Sequence, residues 1–139
     1  MQKQLFKGQG QSLVEIALLL PILVILFLGI AEVGFLLFSH VQVANATRSG
    51  ARDGSLCRLN DNCATLTTVI ETAVFAEAQS LNMNGGNTTV NVQSPNISTG
   101  EPFTVTVTYS HRPPFISNFV PMFPDQIPVK HTVVMHFDR

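Results

Sequence analysis

The chain has 139 residues, a net charge of −1 and only 12% charged residues. That is enough for one small domain plus a membrane segment. The few basic residues form no patch, so nucleic-acid binding has little support.

Residues 1–10 read as a polar leader with Lys3, Lys7 and no acid. Residues 11–53 read as one long helix. Its first part, 16–38, is almost wholly apolar. At about 1.5 Å per residue that run is roughly 35 Å long, enough to cross a hydrocarbon layer of about 30 Å with some tilt. The positive-inside rule leaves residues 1–10 in the cytoplasm and sends the C-terminal part across, although Arg48 and Arg52 beyond the span weaken the asymmetry. Pro21 removes one helical hydrogen bond and is expected to kink the helix, which membrane helices tolerate. From Ser39 the pattern turns amphipathic, with Val41, Ala44, Thr47, Arg48 and Ala51 at helical spacing. Small residues cluster there, as close helix packing requires. Asp53-Gly54 is a stop signal.

Residues 55–63 read as a loop carrying Cys57 and Cys63, the only cysteines. On the outer side of a membrane they can close a small disulfide loop; two free thiols are the alternative. With no histidine nearby they make a poor zinc site. Residues 64–82 read as a second amphipathic helix, ending before the turn signal Asn84-Gly85-Gly86-Asn87. The rest alternates as strands over 88–93, 103–109 and 129–137. Between the last two lies a stiff, partly apolar loop, 112–128, with Pro113, Pro114, Pro121, Pro124 and Pro128. A loop of that length is functional or packed over the core. The fold class is α+β: a long N-terminal transmembrane and amphipathic helix, a second helix and a small antiparallel sheet of about three strands. The organisation is leader 1–10, helix 11–54 with its span at 16–38, and an extracytoplasmic domain 55–139.

Glu15 stands at the mouth of the apolar run, five residues after Gly10. An unpaired carboxylate costs up to about 2.5–3.5 kcal/mol at the bilayer centre and less at its edge. A cut after Gly10 frees an α-amine on Gln11 that can neutralise Glu15 within one subunit or between neighbours. Simple snorkelling of Glu15 to the headgroups is the equal alternative. Glu32 lies about 100° around the helix from Glu15 and does not share its face. It reads as a solvated interfacial carboxylate or as a contact for Arg48 or Arg52 of another subunit. His131 and His136 point to opposite strand faces, and His40 and His111 are isolated, so no metal site is expected. No nucleophile–base arrangement or phosphate loop stands out, which leaves no basis for an enzyme or a cofactor. Three Asn-x-Ser/Thr matches, at Asn45, Asn87 and Asn96, matter only in a cell that glycosylates.

Gly10-Gln11-Ser12-Leu13-Val14-Glu15, Pro21 within the apolar run, Gly29-Ile30-Ala31-Glu32-Val33-Gly34 and Ala44-Asn45-Ala46-Thr47-Arg48-Ser49-Gly50-Ala51-Arg52 resemble the TadE-like proteins. These are pilin-like, or pseudopilin, components of the tight-adherence (Flp pilus) secretion system, related to type IV pili. Val105-Thr106-Val107-Thr108-Tyr109, the proline-rich stretch and the closing strand are also similar, but less specific. The resemblance implies a prepilin peptidase that cuts between Gly10 and Gln11, with Glu15 guiding processing or assembly. A cut after Gly8 would leave Glu15 two residues too far along. It implies a minor pilin of a thin adhesive pilus, in the inner membrane with its C-terminal domain outside and reaching the pilus after assembly. Its partners would be other pilin or pseudopilin subunits, the inner-membrane assembly platform and the lipid bilayer. Major pilins of this system are much shorter, which argues against a bulk-subunit role. Cys57 and Cys63 lie outside the matched motif. Two rival readings remain. One is a Sec-secreted binding domain cut before Glu32 at Gly29-Ile30-Ala31. The other is a permanently anchored extracytoplasmic domain.

Overall fold

The computed structural model describes residues 7–57, 66–94, 100–119 and 124–137. The leading element is a single helix, α1, Lys7–Ser55. It starts within the expected leader and runs two residues past Asp53. Pro21 lies inside it; the lost N–H leaves only the carbonyl one turn earlier without its helical partner. From Leu13 to Phe38 the large apolar side chains stand exposed, Leu18 at 72% and Leu37 at 61%. Most of them face away from the folded domain, as a lipid-facing stretch should, while near its end Leu36 packs on the core and Phe35 meets Phe115. Among the described residues this is one helix long and apolar enough to cross a membrane.

The second half of α1 is the backbone of the folded domain. α2, Leu66–Glu77, packs on it and is followed by a 3-10 turn, Gln79–Leu81. Leu66, Ile70, Val74 and Ala78 form the buried stripe at a repeat of four. The chain then turns through Asn82, which adopts the left-handed conformation with φ 47°. Asparagine tolerates that region better than most residues. Asn84 and Asn87 lock the turn: Gly86 N–H donates to Asn84 Oδ1 at 2.9 Å and Asn84 N–H to Asn87 Oδ1 at 2.9 Å.

Three strands follow: β1 Thr88–Gln93, β2 Pro102–His111 and β3 Ile127–His136. They form an antiparallel sheet in the order β1-β2-β3. Register sets Val90 opposite Val107 and Val107 opposite His131, so period-two alternation carries one apolar face across the sheet. Phe103, Val105, Val107 and Tyr109 point into the core, while Thr104, Thr106 and Thr108 lie on the other face. On β3, Val133 and Met135 take the inner face and Val134, 60% exposed, the outer one. The sheet's inner face lies on the distal half of α1 and on α2. Phe103 stacks on Phe137 at a centroid distance of 4.6 Å and closes the far end of the core.

The distal face of α1 is phased differently from its apolar pattern. Val41 is 56% exposed and Arg48 is exposed, whereas Ser39, Val43, Ala46, Thr47, Gly50 and Ala51 are buried. Close approach explains the choice. A Cβ at Gly50 would lie 2.6 Å from Val74 Cγ2 and 3.1 Å from the Ile70 carbonyl oxygen. Small residues let α2 come that near, and bulkier Val41 faces outward.

Part of the proline-rich stretch is a short helix, α3, Ile116–Phe119, against α1. Phe115 meets Phe35 with ring centroids 6.2 Å apart, so this loop is packed down on the outer end of the span. Residues 120–123 lie outside the described residues.

His131 is the clearest pH-sensitive group of the domain. Burial holds its imidazole below the ordinary histidine range, and the Arg48 guanidinium and then the His40 ring push the same way. The unfolded chain, at about 6.5, therefore takes up a proton that the folded chain refuses. Stability is full above that value and declines as pH falls toward the depressed folded pKa. Thermal melts of the full chain in detergent should show a lower Tm at pH 5.5 than at 7.5. A His131→Gln variant should show a smaller difference, and an unchanged difference would remove His131 as its source.

Candidate functional site

Gly10, Gln11 and Glu15 all lie on α1 and are exposed. Nothing stands within 4 Å of a Cβ built on Gly10. Among the described residues Glu15 has no ion-pair partner. Its environment in this chain is an open helix surface, with Leu13 and Ile16 exposed to 69% and 60% beside it. Gly8 and Gly10 weaken the first turns of α1, since glycine costs about 1 kcal/mol relative to alanine in a helix.

Glu32 departs from expectation. It is 7% exposed rather than solvated, and neither carboxylate oxygen has a hydrogen-bond partner among the described residues. Phe35, one turn on, is where Phe115 packs. Arg48 and Arg52 are exposed and lie about 160° and 200° around the helix from Glu32. They therefore occupy the opposite face of α1. A buried carboxylate without donors is destabilising, by about 1–3 kcal/mol for an unsatisfied polar group and more when charged. Glu32→Leu keeps volume and helix propensity similar. In detergent it should raise stability by about 1–3 kcal/mol in a denaturant titration. A loss of stability instead would mean that the carboxylate is partnered.

Two turns along the same face, Ser39 is buried and binds His111, the last residue of β2. Ser39 Oγ donates to the Phe35 carbonyl at 3.0 Å and lies 2.9 Å from His111 Nδ1. With its own proton so engaged, the hydroxyl accepts from Nδ1–H. His111 is 7% exposed and its Nε2 has no partner among the described residues. This Ser39–His111 bond ties the domain to the helix where the span ends. Sequence alternation stopped at Tyr109 and missed it; His111 continues that alternation by one more inward step. Tyr109 beside it is held above the ordinary phenol range by burial, and its hydroxyl donates to the Leu81 carbonyl at 3.4 Å.

Cys57 is disulfide-bonded, and Cys63 lies outside the described residues. No group of three or more His, Cys, Asp or Glu that could hold a metal ion occurs among the described residues.

A family model described as TadE-like protein matches residues 10–52. The match begins at Gly10, covers the apolar run and the buried small-residue face, and ends at Arg52. The expected resemblance is thus found on the helix, over the segment that carries Glu15, Glu32 and Arg48. No curated protein and no solved structure matches the chain.

Proposed function

We propose that this protein is a pilin-like subunit of a tight-adherence, Flp-type pilus, processed by a prepilin peptidase between Gly10 and Gln11 and acting as a minor pilin. The observation that carries the reading is the TadE-like match over 10–52 falling on a two-part helix. Its first part is apolar and uncovered, and its second part is the spine of a folded domain. An uncovered apolar helix can sit in lipid before assembly and against other subunits afterwards, because both surroundings are apolar. Glu15 is then an exposed carboxylate at the entry to that stretch, placed to take the ammonium of Gln11 in its own or a neighbouring chain. The two glycines before it make the first turns easy to unwind for a peptidase. The domain stays outside the cytoplasm, tied to the end of the span by the Ser39–His111 hydrogen bond.

Glu15→Leu tests the assembly role. The side chain is exposed, so the variant should fold and insert as the parent does. Losing one charge-assisted contact of about 1.5–3 kcal/mol should lower incorporation about 10–100-fold. Immunoblots of sheared pili against the membrane fraction read this directly. Normal incorporation would reduce Glu15 to a snorkelling residue.

A further inference from the structure

Where the span meets the domain, the structure forms an open cleft of about 1040 Å³. One wall is the last apolar stretch of α1, with Gly34, Phe35 and Phe38; the other is polar, with Asn82, His111 and Arg112. When residues 16–38 cross the bilayer, Phe35 and Phe38 lie at the outer edge of the hydrocarbon. The polar wall then stands at the level of the headgroups. Phe38 is 46% exposed and Leu37 61%, so the apolar wall runs without a break into the lipid-facing surface of the helix.

The polar wall is preorganised. Asn87 Nδ2 donates to the Asn82 carbonyl at 3.1 Å, and the Asn84 and Asn87 side chains fix the rest of that turn. Ser39 holds the His111 ring through Nδ1. Its Nε2 is buried and unpartnered among the described residues, so it can accept from a ligand hydroxyl or amine, or, protonated, donate to an anionic oxygen. Arg112 is exposed at the next position and forms no ion pair among the described residues. A guanidinium in that setting suits the oxygens of a phosphate ester. An apolar wall continuous with the bilayer, facing a wall with a cation and an unsatisfied imidazole, matches an amphiphile with a phosphate between its polar and apolar ends.

We propose that this pocket binds a glycerophospholipid headgroup of the outer leaflet, its phosphate held by Arg112 and His111 and its acyl chains lying along Phe35 and Phe38. The proposal rests on residues 16–38 spanning the membrane, not on assembly into a pilus. Bound lipid would hold the domain at a set height on the membrane until the subunit is drawn out.

The test uses the full chain in detergent, with dihexanoyl-phosphatidylglycerol as probe and thermal unfolding as readout. The expected result is a saturable rise in Tm. At equal concentration, inorganic phosphate or dihexanoylglycerol should give no rise. Arg112→Glu, a change at an exposed side chain, should weaken the apparent affinity at least tenfold while leaving the lipid-free Tm in place. No saturable shift, an equal shift in Arg112→Glu, or an equal shift with dihexanoylglycerol or with inorganic phosphate would each overturn the lipid site. Failure here leaves the mature N-terminus at Gln11 unaffected, and failure of the pilin reading leaves the lipid shift unaffected.

Discussion

Gly10→Phe should leave the protein at its full-length mass in the membrane of a cell that processes the parent chain. The structure makes this a clean experiment. Gly10 is exposed, and a Cβ built there has nothing within 4 Å among the described residues. The side chain projects from the exposed first part of the helix, apart from the buried face of its second half that packs on Val74. Loss of processing would therefore report the fit of the peptide to its peptidase and not misfolding. Misplacing a scissile bond by about 1 Å costs on the order of 100-fold in rate, and a bulky side chain beside it should cost at least that. Intact-mass analysis of the membrane fraction checks it. Processing at the parental rate would move the cut away from Gly10-Gln11.

Phe103→Ala should cost about 3–5 kcal/mol. Phe103 is 1% exposed, stacks on Phe137 at 4.6 Å and touches the face of α1 at Gly54, where an added Cβ would lie 3.4 Å from its ring. It joins sheet, helix and closing segment, so no neighbour can relax fully into the space it leaves. Small domains hold only about 5–15 kcal/mol in all, and each kcal/mol moves Tm by about 4–8 °C at this size. The domain should melt roughly 12–40 °C lower. The span should remain inserted, because its apolar side chains do not belong to this core. A melt displaced by only a few degrees would show that the core is not built around Phe103.

Much of this architecture is written in residue order. The almost wholly apolar run gave the exposed span, and Phe103, Val105, Val107 and Tyr109 against three threonines gave β2 and its inner face. The repeat of Leu66, Ile70 and Val74 gave α2. What escaped depends on neighbours that are distant in sequence. The packed face of distal α1 is chosen by how closely α2 approaches Gly50, a distance no local pattern encodes, so the residues read at one helical spacing divide: Thr47 and Ala51 are buried, Val41 and Arg48 exposed. In sequence Glu32 reads as a solvated carboxylate near the headgroups or as a contact for another subunit's Arg48 or Arg52. It is buried, at 7% exposure, which spacing along the helix does not encode. His111 looked isolated because its partner, Ser39, is on α1, 72 residues away. The motif at the mouth of the helix is of the opposite kind, and the TadE-like match begins on it, at Gly10. Gly10, Gln11 and Glu15 depend on spacing along one chain and on no tertiary contact.

The central claim is that the helix begins its mature life at Gln11. N-terminal sequencing of the protein recovered from its native membrane or from sheared pili tests this most directly. The account predicts a first residue of Gln11. A chain beginning at Glu32 would show secretion by signal cleavage, one beginning at Met1 would show a permanent anchor, and either would contradict it.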